Sequence, residues 1–145
     1  MNNEAAVERR QEETGITRTY SGVPVITLEE FHARLKAQGV PKVHLAFVCP
    51  MCGVVQSAAD LIAAGAGADF ASVEGFVGFS CIGRWTKGGP PRRKPDGKPC
   101  NWTLGGLLPI CKLIVKLPDG KEQITFEPAT PEQAQAYFTA KGGAL

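Results

Sequence analysis

The run Phe47-Val48-Cys49-Pro50-Met51-Cys52-Gly53 constrains this chain more than any other feature. A Cys-Pro-x-Cys-Gly turn at the end of an apolar segment has the form of one half of a structural zinc site. Two residues separate the thiols, so one tight turn aims both at a single ion. Gly53 supplies the positive φ that such a turn needs. The turn predicts what holds the domain together and leaves open what the domain binds.

Zinc takes four ligands in a tetrahedron, and thiolates serve well. Cys49 and Cys52 supply two, and Cys81 and Cys100 are the best partners among the chain's five cysteines. Cys81 precedes Ile82-Gly83, half of another knuckle, and Cys100 stands where a long loop returns to structured sequence. The gaps are 28 residues from Cys52 to Cys81 and 18 from Cys81 to Cys100. A compact second Cys-x-x-Cys is the commoner arrangement, but loop-closure entropy grows slowly with length, so a loop inserted between ligands is tolerable. Cys111 alternates with Ile110 and Lys112 in a strand-like run and reads as a small buried hydrophobe. His44 is the rival fourth ligand, and His32 has no partner at metal spacing. With four thiolates and no open position, the zinc is expected to be structural.

The chain has 145 residues, enough for one domain with a modest core. No stretch reaches the roughly 20 apolar residues of a membrane helix. Met1 to Thr17 is charged and lacks the apolar core of a signal peptide, so a reducing cytoplasm is expected, where cysteines serve metals before disulfides. Residues 1–20 read as a polar, flexible arm and 21–145 as a single zinc-stabilised domain.

The expected fold class is α+β: a small antiparallel sheet stapled by the four-cysteine site, with helices near both termini. Thr27-Leu28-Glu29-Glu30 reads as a capping box opening a helix that Gly39 ends. Lys42–Val48 reads as a strand with Val54-Val55-Gln56 as its hairpin partner, and Ser57 with Asp60 opens a short helix. Phe76–Cys81 alternates large and small residues and reads as a further strand. Asp119-Gly120 between two β-prone runs predicts a hairpin, and Thr130-Pro131-Glu132 opens a last helix.

Enzyme chemistry finds little support in these residues. A strand followed by Cys-Pro-x-Cys also introduces the helix of thiol oxidoreductases, where the helix begins at the first cysteine. Here Val54 and Val55 follow, and the cap signal waits until Ser57. Zinc deaminases need His-x-Glu, which neither His32 nor His44 offers. The Gly-rich pieces lack the Gly-Lys-Ser/Thr of a phosphate loop.

Residues 82–99 carry Arg84, Lys87, Arg92, Arg93, Lys94 and Lys98 against Asp96 alone, a net charge of +5, which leaves −3 for the rest of a chain whose total is +2. Four Gly and four Pro make this an irregular loop. Together with Trp85 the cations suit phosphate contacts and stacking on an unpaired base. A solubilising loop with both tryptophans in the core is the bland alternative, and Arg with Trp also suits a protein interface.

Three segments, Phe47–Gly53, Gly78-Phe79-Ser80-Cys81-Ile82-Gly83-Arg84 and Pro99-Cys100-Asn101-Trp102-Thr103-Leu104-Gly105-Gly106-Leu107, together resemble a family of short, uncharacterised proteins of bacteriophages and prophages. The resemblance covers about residues 42–127 and includes the split second cysteine pair. It implies Cys49, Cys52, Cys81 and Cys100 as metal ligands and a phage or mobile-element origin, with no known activity. The leading expectation is a non-catalytic, zinc-stabilised binding protein whose residues Arg84, Trp85, Lys87, Arg92, Arg93, Lys94 and Lys98 contact nucleic acid. The alternative is an inhibitor or accessory factor that binds a host protein complex, such as an anti-CRISPR-like protein. A CxxC oxidoreductase comes third.

Overall fold

The computed structural model describes residues 10–11, 18–19, 22–105 and 110–143. In chain order the elements are β1 (Arg10–Gln11), β2 (Arg18–Thr19), β3 (Val25–Thr27), α1 (Leu28–Lys36), a 3-10 turn (Lys42–His44), β4 (Ala46–Val48), β5 (Val55–Ser57), α2 (Ala58–Ala63), α3 (Phe70–Val77), a second 3-10 turn (Ile82–Arg84), β6 (Leu113–Lys116), β7 (Glu122–Thr125), β8 (Glu127–Pro128) and α4 (Pro131–Ala140). The class is α+β, as the sequence predicts.

The strands divide into two three-stranded sheets and a short pair. In the first sheet β6 is central, parallel to β3 and antiparallel to β7, with Ile114 opposite both Val25 and Ile124. Asp119 and Gly120 close the β6–β7 hairpin as expected. The Asp119 carboxylate accepts from the Lys121 N–H at 2.9 Å, and Gly120 takes a φ of +89°. The second sheet is antiparallel, with β4 between β5 and β8. Pro128 lies on an outer strand of this sheet, where its missing N–H removes no interior ladder bond. The second sheet is the small antiparallel sheet expected from the sequence, and the parallel β3–β6 pairing adds a mixed sheet beside it. Val25-Ile26-Thr27 is too short to read as a strand alone, and β6 supplies its partner. β1 and β2 pair antiparallel; the remainder of the expected N-terminal arm lies outside the described residues.

Helix starts follow the caps. Thr27 Oγ1 accepts from the Glu30 N–H at 3.1 Å, while the Glu30 carboxylate turns to Arg34, 3.0 Å away, so the Thr27 half of the box forms. The Asp60 carboxylate accepts from the backbone N–H of Ser57 at 3.0 Å at the start of α2. Thr130 and Gln133 form a reciprocal box at the start of α4.

Two local readings are corrected. Phe76–Cys81 is not a strand: Phe76 and Val77 end α3, which Asp69 opens by accepting from the Ser72 N–H at 2.9 Å. The three- and four-residue spacing of Phe70, Val73 and Val77 turns one helix face inward, and this period overrides the large–small alternation. Lys42–His44 forms a 3-10 turn in place of the first half of a strand, with His44 N–H donating to the Pro41 carbonyl at 2.8 Å.

The core runs between the two sheets. Phe47, Leu61, Val73, Ile114, Ile124 and Phe126 form one buried cluster that also contains all five cysteines. Gln38, fully buried just beyond α1, ties the second sheet to its neighbours. Its amide donates to the carbonyls of Ala46 (2.9 Å) and Ala129 (3.0 Å) and accepts from the Ala46 N–H (2.8 Å).

Candidate metal centre

The β4–β5 hairpin turns through Cys49-Pro50-Met51-Cys52-Gly53. Cys49 N–H donates to the Val54 carbonyl at 3.0 Å and Gly53 N–H to the Cys49 carbonyl at 2.9 Å, with Gly53 at a φ of +80°. The turn is therefore a rigid extension of the sheet, and both sulfurs point from it into the core.

The second pair is assembled from segments 18 residues apart. Ser80 and Thr103 form an antiparallel bridge, flanked by bonds from Cys81 N–H to the Trp102 carbonyl (2.8 Å) and from Leu104 N–H to the Phe79 carbonyl (3.0 Å). This two-stranded contact carries Cys81 and Cys100 to the first pair. All four sulfurs lie within 4.8 Å of one another, and all four residues are buried. Cys49 Sγ is 3.8 Å from Cys100 Sγ, and Cys52 Sγ is 3.7 Å from Cys81 Sγ. A zinc–sulfur bond of about 2.3 Å gives a tetrahedron with an edge of about 3.8 Å. The two close contacts join one member of each pair, so they match opposite edges of that tetrahedron. They are far too long for disulfides.

Glycine permits the close approach. A Cβ on Gly83 would stand 2.0 Å from the Cys100 carbonyl oxygen, and one on Gly88 would stand 2.5 Å from that of Pro99. The backbones of the two halves are thus in direct contact. Gly83→Ala is expected to push Cys100 away from Cys81 and to weaken metal affinity by about tenfold or more. Competition against a chromogenic chelator measures this; unchanged affinity would show that the contact does not set the ligand geometry.

The surroundings act in opposite directions on the sulfurs of Cys49, Cys81 and Cys100. The neighbouring sulfur of Cys81 and then burial drive the Cys49 thiol up. The hydrogen bond from Cys49 draws the Cys81 thiol down to about 5, aided by the amides of Gly83 and Cys100. Burial pushes Cys100 up to about 12. The amides of Met51 and Cys52 face Cys49 and that of Trp102 faces Cys100, each favouring the thiolate. A dication at the centre would neutralise the mutual repulsion, and the amides are already aimed to support it. The donor set therefore fits a metal ion.

The other candidates fall elsewhere. Cys111 is outside the cluster and buried, and burial raises its thiol to about 11. The His44 ring packs 4.7 Å from that of Phe138. His32 is exposed and borders a cavity of about 450 Å³ whose walls include Phe31, Phe47 and Phe70.

Residues 82–99 form an irregular loop that folds back on the centre. Gly97 N–H donates to the Cys52 carbonyl at 2.7 Å, and Asn101 N–H to the Gly89 carbonyl at 2.8 Å. Arg92 is engaged inside the loop: its guanidinium meets both Asp96 oxygens (2.8 and 3.0 Å) and the carbonyls of Gly88, Lys98 and Pro99. It acts as a staple. Arg84, Lys87, Arg93, Lys94 and Lys98 are exposed and, among the described residues, form no ion pair with an acid. Trp85 and Trp102 are half-buried against the core.

Sequence reasoning missed Gln56. Its fully buried amide donates to the carbonyls of Val77 and Ser80, both at 2.9 Å, and accepts from the Ile82 N–H at 2.8 Å. It holds both flanks of Cys81 against β5, the strand that leaves the first knuckle. The signal was a polar residue at an inward position of a strand, which read only as the hairpin's end.

Among the described residues, no helix is long and apolar enough to cross a membrane. No curated protein and no solved structure matches the chain. The profile of the VVA0879-like family matches residues 27–129, a span that holds all four clustered cysteines and most of both sheets. The chain belongs to the VVA0879-like family.

Proposed function

We propose that this chain is a non-catalytic, zinc-stabilised binding protein whose basic loop contacts nucleic acid, in the setting of a phage or mobile element. The observation that carries the reading is the position of the loop. Its two ends are the second cysteine pair, and its return is bonded to the first knuckle. A metal ion would thus fix a loop carrying five exposed cations besides the ion-paired Arg92, reducing the entropy lost when it engages phosphates. Four thiolates in a tetrahedron suit zinc, the metal of this reading, and with no coordination position left for a substrate its role would be structural. The sulfur contacts run between the two pairs and a strand follows Cys52, which supports metal binding over thiol exchange.

Anisotropy of labelled oligonucleotides across a salt series tests the loop. Affinity is expected to fall steeply with salt. The double variant Arg93→Ala/Lys94→Ala is expected to flatten the log–log slope by about two. No binding at low salt would overturn the nucleic-acid reading. Nuclease-resistant retention of a host protein would then favour the inhibitor alternative.

A further inference from the structure

We propose that Phe76 and Trp85 form a stacking platform for an unpaired base, so that the ligand of the basic loop is single-stranded nucleic acid. The inference rests on the loop reading above and adds a residue, Phe76, and a strandedness to it.

Phe76 is the large hydrophobic side chain that stands exposed among the described residues, at 37%. It lies in the last turn of α3, whose other apolar residues there, Val73 and Val77, are buried. Over a third of the phenyl ring's residue surface thus stays open to solvent beside the basic loop. Its ring centroid is 5.1 Å from that of Trp85 at an interplanar angle of 51°. Trp85 is half-buried and follows Cys81 by four residues, with its N–H bonded to the Ile82 carbonyl at 2.9 Å. The tryptophan is thus packed against the main core and in turn lies beside the phenylalanine. An aromatic surface held this way loses little entropy when a flat ring settles on it.

The charged residues nearest Trp85 along the loop are basic. Arg84 precedes Trp85 and Lys87 follows two residues later, and both are exposed. Lys87 has a φ of +59°, a left-handed conformation that is strained for a residue with a Cβ, although glycines follow at 88 and 89. The chain thus keeps a cation at a position where a glycine would be conformationally easier. Glu74, the one acid of α3, is two residues from Phe76 on a helix and so faces another flank, where it borders the cavity. A basic loop that carries such an aromatic pair matches an ion-bearing strand with flat bases. A duplex hides its base faces, so it meets the cations and leaves the rings unused.

The test uses the metal-loaded protein with labelled single strands of about 12 nucleotides, as DNA and as RNA, and a duplex of equal length. Phe76→Ala is expected to weaken single-strand binding by about 5- to 100-fold. Duplex affinity and the salt slope should stay unchanged. Phe76→Leu, which keeps apolar bulk without a flat ring, should lose nearly as much. Quenching of tryptophan fluorescence on single-strand binding, reduced in Phe76→Ala, gives a direct readout at the pair. Metal content and circular dichroism of both variants should match those of the parent protein. Single strand and duplex bound alike, with Phe76→Ala neutral, would overturn the platform while the loop reading stands. No binding of any oligonucleotide by the parent protein would overturn the loop reading. Nuclease-insensitive capture of a protein partner that Phe76→Ala abolishes would assign the pair to a protein interface and overturn the platform.

Discussion

Cys81→Ser is expected to lose stoichiometric metal and to lower the midpoint of thermal unfolding by about 15 °C or more, because binding free energy at a structural site is folding free energy. The four sulfurs stand inside the main hydrophobic cluster and join the β4–β5 hairpin, the segment after α3 and the return of the basic loop. Structural zinc contributes about 10–16 kcal/mol in small domains, as much as the whole net stability of a typical domain at about 5–15 kcal/mol. An ordinary buried Cys-to-Ser change costs only about 1–3 kcal/mol, so size separates the two effects.

Cys111→Ser supplies the control. It places a hydroxyl in the same core but leaves the cluster intact, so elemental analysis should find the parent protein's metal content. Zinc should raise the midpoint of the stripped parent protein and of stripped Cys111→Ser, and leave Cys81→Ser unmoved. Full metal content in Cys81→Ser, or its loss in Cys111→Ser, would show that the ligand set is wrong.

Local signals in this sequence were legible where few residues decide the outcome. The Asp119-Gly120 hairpin, the Thr130 cap and the Cys-Pro-Met-Cys-Gly turn each depend on a handful of neighbours, and each forms as read. The cluster of Cys49, Cys52, Cys81 and Cys100 was legible for a different reason: thiol chemistry restricts partners so strongly that an 18-residue insertion does not hide them. Long-range pairing was not legible. Val25–Thr27 becomes a strand only because β6, nearly ninety residues later, lies beside it. Phe76–Cys81 misled because Gly75 and Gly78 thin out the pattern around a short helix, and helix period emerges only when Phe70 and Val73 are counted with Val77. Composition marked residues 82–99 as a basic loop but could not show that Arg92 is bound up with Asp96 while Arg93 and Lys94 remain exposed.

Gln56→Leu is expected to cost about 3–9 kcal/mol and, unlike most core substitutions, to weaken the metal site as well. The amide satisfies three buried backbone groups at once, the carbonyls of Val77 and Ser80 and the N–H of Ile82. Leucine fills similar volume and leaves all three without a partner, each at about 1–3 kcal/mol. Two of those groups flank Cys81, so their release lets that thiolate drift while Cys49 and Cys52 stay on their hairpin. Gln38→Leu makes the comparison specific. Gln38 also serves three buried backbone bonds, but to Ala46 and Ala129. The two variants should unfold at similar denaturant midpoints, while only Gln56→Leu should surrender metal faster to a competing chelator. Equal metal affinity in both would reduce Gln56 to a packing residue and leave the positioning of Cys81 to the Ser80–Thr103 bridge and the Gly83 contact alone.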